Sequence, residues 1–246
     1  MIQIDAHCHI GSGWRMRQTV DELLREMDRC GVDRAVVCPV ERHIVVYNRE
    51  GNDFIADAVR AHPDRLIGFA TVNPWYGEEG VAELERAVQE GLVGLKVHSS
   101  LQGFFAHDAL IYPLMEKVQE LGLVTYFHTN TPIYAMPFQL ADLAERFPRI
   151  PFILGHMGFA DGWTDVVAAT EKLRNVVLET SLTGPMVIAE AMAKVGPERM
   201  VFGSNAPVSS LEAELYKIQV TPLPPEARRL ILGENMVRML KACGEG

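Results

Sequence analysis

Apolar and polar positions follow two alternating patterns along this chain. Short runs rich in β-branched and aromatic residues, with no polar face, occupy residues 2–7, 35–40, 66–72, 93–98, 123–128, 151–156, 175–180 and 199–203. Between them, apolar residues recur at helical spacing. Strand starts advance by roughly 28 residues, the length of a strand, a loop and a crossover helix. Strands without a polar face belong in a parallel sheet covered by helices. Eight such units predict an α/β fold, a (β/α)8 TIM barrel in a single domain over residues 1–246. A doubly wound open sheet competes, but no GxGxxG or GxxxxGK follows the first strand.

The helical segments carry their own boundary signals. Thr19-Val20-Asp21-Glu22 reads as a capping box, after which Leu23, Leu24, Met27 and Cys30 keep helical spacing until Gly31. Val81, Leu84, Val88 and Gly91 repeat the scheme, and Asn52-Asp53 is expected to open a helix that His62-Pro63 closes.

Composition narrows the class. Apolar residues make up 48% of the chain, enough for a substantial core, and Gly and Pro are scattered without a linker-like run. The charge is 23 − 32 = −9, with no basic block to track a phosphate backbone, so nucleic acid is excluded as an expected partner. No apolar stretch approaches the ~18 residues of a membrane span, and MIQIDAHCHI lacks the features of a signal peptide. A cytoplasmic protein with a small-molecule substrate is the expectation, and a homodimer is among the options. Cys8, Cys30, Cys38 and Cys243 have no CxxC spacing and read as reduced packing thiols.

In a parallel barrel the C-terminal strand ends form the active-site face. Polar residues gather there: His7 and His9, Lys96 and His98, His128, His156, Glu179 and Ser181, then Ser204 and Asn205. Side chains alternate along a strand, so Asp5, His7 and His9 are expected on one face, with the two imidazoles able to chelate one ion. His128 and His156 can complete such a site and leave a position open for water or substrate. Each alone also reads as a hydrogen-bonded core histidine. A lysine aimed into the mouth needs a carboxylate, an anionic substrate or carbamylation as a metal bridge, and Lys96 is read as an anion binder with His98 beside it. Arg15, Arg17 and Arg42 lie on the first two loops, and Arg15 and Arg42 are candidates to hold a substrate carboxylate.

These residues carry a resemblance. Asp5-Ala6-His7-Cys8-His9, His62-Pro63-Asp64-Arg65, Gly94-Leu95-Lys96-Val97-His98, Gly155-His156-Met157-Gly158, Phe202-Gly203-Ser204 and Gly233-Glu234-Asn235 resemble the amidohydrolase-related branch of the amidohydrolase superfamily, which includes decarboxylases and lactonases. The resemblance implies one divalent metal, zinc foremost and manganese second, on His7, His9 and His128, with His156 assisting chemistry. It also implies an aspartate after strand 8 as metal ligand and proton acceptor, but this chain has Asn205 there. An amide oxygen can coordinate a cation yet cannot take a proton near neutral pH. Either Glu179, His98 or His156 serves as base, or the metal is weak or absent and a positively charged site does the work, or a ligand is bound without turnover. The leading expectation is a metal-dependent hydrolase of a small anionic substrate such as a lactone. The alternatives are a nonoxidative decarboxylase of an unsaturated or aromatic acid, and a catalytically silent ligand-binding barrel.

Overall fold

The last strand of the sheet returns to the first, and this closure makes the barrel. The computed structural model describes residues 2–129, 133–158 and 162–243. Its strands are β1 (Ile4–Ser12), β2 (Arg17–Gln18), β3 (Arg34–Pro39), β4 (Leu66–Thr71), β5 (Gly94–Val97), β6 (Val124–His128), β7 (Phe152–Gly155), β8 (Val176–Glu179) and β9 (Met200–Val201). They lie in the order β2-β1-β3-β4-β5-β6-β7-β8-β9, and all pairs except β1·β2 are parallel. Beyond β9 the chain docks on β1: Ala6 donates to the Phe202 carbonyl (2.9 Å), Asn205 to that of His7 (2.8 Å), and His9 to that of Ala206 (2.7 Å). The expected (β/α)8 barrel is present.

Two apolar layers follow from strand alternation. Ile4, Val36, Ile67, Phe69, Val124, Tyr126, Ile153, Val177 and Val201 fill the barrel interior, and Met236, Met239 and Leu240 of the last helix pack against this inner cluster. Ala35, Val37, Leu95, Val97, Phe127, Phe152, Leu154 and Leu178 point outward into the layer under the helices. The helix α1 (Val20–Cys30) starts at the expected Thr19–Glu22 capping box and ends at Gly31, whose φ of 71° suits glycine.

Three local features depart from the sequence reading. The register of β1 shifts between Asp5 and Cys8, so Ile4 and Ala6 belong to the inner cluster while Cys8 and Ile10 belong to the outer one. This bulge breaks the simple alternation expected for Asp5, His7 and His9. Second, β1 runs on to Ser12 and folds back through β2, with Gly11 opposite Gln18 and Ser12 opposite Arg17. That hairpin brings Arg15 and Arg17 over the barrel mouth. Third, helix α3 (Asn48–Ala61) begins before Asn52 rather than at it, following the short α2 (Glu41–Val45). Asn52 is buried, and tertiary bonds take the place of a cap: its side chain donates to the Thr71 carbonyl (3.1 Å) and accepts the Thr71 N–H (2.8 Å).

Candidate active site

A cavity of about 810 Å³ opens at the C-terminal ends of the strands. Its floor includes His9, His98, His128 and Asn205, and its wall includes Arg15, Arg17 and Glu41. A second layer lies beneath: His7, Lys96, Tyr126 and His156, all buried. Below these, Asp5, Glu179, Ser181 and Ser204 are fully buried carboxylates and hydroxyls.

Glu179 anchors one side. It accepts from the Tyr126 hydroxyl (2.8 Å), the His156 N–H (3.0 Å), the Ser181 N–H (2.5 Å) and the Ser181 hydroxyl (2.9 Å). Burial raises its pKa, against which these four donors act. With the Ser181 hydroxyl donating to Glu179, its oxygen accepts from His156 Nδ1–H, 2.6 Å away. His156 Nε2 is then an acceptor, and it faces His128 Nδ1 at 3.0 Å. The chain of donors therefore leaves the Nε2 lone pair of His128 unprotonated.

The other side is built from β1 and β5. His9 Nδ1 donates to the Pro39 carbonyl (2.8 Å), which leaves its Nε2 lone pair free as well. His98 has the opposite tautomer, because its Nδ1 accepts from Leu101 N–H (3.4 Å) and the Ser100 hydroxyl (3.1 Å). Its Nε2 consequently carries a proton. The His98 ring stacks on His128, with centroids 3.7 Å apart. Lys96 does not line the cavity. Its Nζ lies 2.9 Å from His7 Nε2 and 4.0 Å from the Tyr126 ring centroid. Burial pushes the Lys96 ammonium down to about 7 and the His9 imidazolium down to about 3, and it also lowers the other four site histidines.

Two groups of described residues bring three donor atoms within 4.8 Å of one another: His7, His9 and Cys38, and His7, His156 and Glu179. The expected set of His7, His9 and His128 is neither of these. Both groups contain an engaged member. The Cys38 thiol donates to the Cys8 carbonyl (3.3 Å) and burial pushes it up to about 12, while Glu179 is saturated by its donors. The free lone pairs are those of His9 and His128 at the cavity, where Asn205 adds an amide oxygen; this set suits one divalent cation. His7 Nε2 is turned to Lys96, and its buried Nδ1 has no partner among the described residues.

Of the other expected residues, Arg15 lines the cavity, whereas the Arg42 guanidinium lies 5.0 Å from the Tyr47 ring centroid and outside the lining. His156 and Glu179 sit behind His128 rather than at the cavity surface. Glu41 and Tyr126 were not singled out from the sequence. Glu41 is the first polar side chain after β3, the same strand-end position that marks the other site residues. Backbone strain concentrates here too: His156 (φ 61°), Leu182 (φ 59°) and Asn205 (φ 54°) all follow barrel strands in the left-handed region.

This fold and site are those of a barrel enzyme, and the chain matches the amidohydrolase family over residues 4–242, so it belongs to that family. Gamma-resorcylate decarboxylase from Polaromonas sp. (strain JS666 / ATCC BAA-500) is 23% identical over 289 aligned positions, covering 92% of this chain and 89% of the relative. 2-Amino-3-carboxymuconate-6-semialdehyde decarboxylase from Dictyostelium discoideum is 32% identical over 107 positions, 42% of this chain and 27% of the relative. Among solved structures, dihydroxybenzoic acid decarboxylase from Polaromonas sp. JS666, with bound manganese and the inhibitor 2-nitroresorcinol, superposes with a TM-score of 0.79 at 20% identity, covering 98% and 97% of the two chains. 5-Carboxyvanillate decarboxylase from Sphingomonas paucimobilis gives 0.75 at 23% identity, covering 92% and 84%. These relatives overturn the hydrolase expectation, since the activities they are named for are decarboxylations. Asn205 agrees with that correction, because its amide cannot accept the proton that water must lose in hydrolysis. No described helix is long and apolar enough to cross a membrane.

Proposed function

We propose that this protein is a nonoxidative decarboxylase of a small aromatic or unsaturated carboxylic acid, assisted by one divalent cation, manganese or zinc. The observation that carries the reading is Asn205 on the cavity floor, where a hydrolase of this design needs a carboxylate. Loss of carbon dioxide needs an electron sink and a proton donor, not a strong base for water. The full-length relatedness to decarboxylases supports the same reading.

In this reading His9, His128 and Asn205 would hold the cation, and His7 would join them if its Nε2 were free of Lys96. A divalent cation bound there would supply Lewis acidity toward a substrate oxygen. The Nε2 proton of His98 and the guanidinium of Arg15 meet the anionic groups of the substrate at the floor and wall of the cavity. His156 and Glu179 act as positioning residues, fixing the ring of His128 and its tautomer. Lys96 adds positive potential from below. Arg42 has no role in it.

The test is a panel of 2,6-dihydroxybenzoate, 5-carboxyvanillate and simple lactones, assayed for carbon dioxide with and without added manganese or zinc. Carbon dioxide from at least one acid, increased by metal, is the expected result. No carbon dioxide from any acid, with a thermal midpoint that still rises on adding the acids, would instead make the protein a ligand-binding barrel.

A further inference from the structure

Among the described residues lining the cavity, Glu41 is the one carboxylate. It follows β3 as the first residue of α2 and is 1% exposed. Its Oε1 accepts the backbone N–H groups of Arg15 and of Met16 (3.3 Å), so the β1–β2 hairpin is folded down onto it. Its Oε2 is buried without a hydrogen-bond partner among the described residues. A Cβ at Gly13 would run into this carboxylate, so the hairpin keeps a glycine where the acid needs room. The result is a carboxyl group fixed at one oxygen, idle at the other, and set in the wall of the cavity whose floor holds Asn205.

We propose that Glu41 is the group that exchanges a proton with the reacting carbon of the substrate. The assignment rests on the decarboxylase reading. Glu41 delivers a proton taken up from solvent to the carbon that bears the carboxylate, forming the new C–H bond. The bond from that carbon to the carboxylate then breaks, its electron pair returns to the π system of the substrate, and carbon dioxide leaves. Glu41 is reprotonated from solvent, so atoms and charge balance without any oxidant or reductant. Among the floor groups, Asn205 has no transferable proton, the unprotonated Nε2 atoms of His9 and His128 are the ones that would hold the cation, and the His98 Nε2–H is assigned to the anionic groups of the substrate.

A purely structural Glu41 would only tie down the hairpin, and substitution separates the two roles. Glu41→Gln keeps an amide oxygen for the Arg15 and Met16 N–H groups but has no acidic proton. With 2,6-dihydroxybenzoate and 5-carboxyvanillate as probes, Glu41→Gln is expected to lower kcat by about 100-fold or more with KM within about threefold. Glu41→Asp is expected to recover a substantial part of that loss. Wild-type protein is also expected to catalyse deuterium exchange at the ring carbon of resorcinol in D2O, and Glu41→Gln to lose it. A wild type that releases carbon dioxide while Glu41→Gln keeps at least about a third of its kcat overturns the assignment and leaves the decarboxylase reading intact. Equal losses in Gln and Asp variants, with a lowered thermal midpoint, also overturn it in favour of a hairpin anchor. No carbon dioxide from either acid and no exchange in the wild type overturns the reading and the assignment together.

Discussion

His128 Nδ1 lies 3.0 Å from His156 Nε2, and this contact decides which nitrogen of His128 meets the cavity. The proton order is set from beneath, by Glu179 through the Ser181 hydroxyl and His156 Nδ1. A carboxylate with no access to the cavity thus controls an imidazole at its surface. Breaking the order at its source has a stability cost and a chemical one.

Glu179→Gln is the direct test of that order. The amide would turn an N–H group toward one or more of the donors from Tyr126, His156 and Ser181. A buried clash of donors of this kind costs about 2–4 kcal/mol. The unfolding free energy from urea titration is expected to fall by that amount, through a lower midpoint at an unchanged m-value. A change below about 0.5 kcal/mol would mean that Glu179 is not the acceptor at the base of the chain.

Asn205→Asp tests the cation. Asn205 has a φ of 54°, a left-handed conformation that aspartate also tolerates, so the backbone can stay as it is. Adding one negative ligand charge at the cavity floor is expected to raise manganese affinity by about tenfold or more, read by titration calorimetry. An unchanged affinity would place the cation away from Asn205.

Stability is expected to fall on acidification. Burial holds the pKa values of His7, His9, His98, His128 and His156 below the ordinary 6.5. Below about pH 6.5 the unfolded chain therefore binds protons that the folded chain refuses, and stability drops as pH falls through that value. Asp5, raised to about 7, and Glu179, also raised, act in the opposite direction, because a raised carboxyl takes up its proton at a higher pH in the fold than in the unfolded chain. Five histidines outweigh two carboxyls. Stability is therefore expected to be lower at pH 5.5 than at pH 7, measured by urea unfolding with chelator present. A stability that rises over this interval would show that the imidazoles are protonated in the fold.

Much of this site was legible in the sequence because strand ends in a barrel announce themselves. A polar residue directly after an apolar run, as at His98, His128, His156 and Asn205, has few places to go except the C-terminal face. What stayed hidden depends on contacts between segments distant in sequence. The bulge between Asp5 and Cys8 is set by pairing with β3, and Ile4–Ser12 alone carries no sign of it. The two-residue β2 is too short to show alternation, so the hairpin over the mouth was missed, and with it the bonds that seat Glu41. Lys96 was placed correctly on its strand, yet its partner could not be read. Only the closed barrel brings it to His7.

The Lys96–His7 contact supports a prediction with two readouts of opposite sign. The ammonium spends its hydrogen bond on the nitrogen that His7 would give to a metal, and it stands 4.0 Å from the Tyr126 ring centroid inside the barrel. Lys96→Met removes a buried charge and fills its space with an apolar chain of similar length, a change that is often neutral or stabilising by about 1–4 kcal/mol. It also frees His7 Nε2 and takes a positive charge away from the cation position. Manganese affinity is therefore expected to rise by about tenfold. If Lys96 draws anionic substrate to the site, carbon dioxide release at low substrate concentration falls in the same variant, through a higher KM. Tighter metal with weaker substrate is the combined signature. Metal affinity that drops with Lys96→Met would show instead that the lysine supports the cation site, and that the bond to His7 is there to orient the ring.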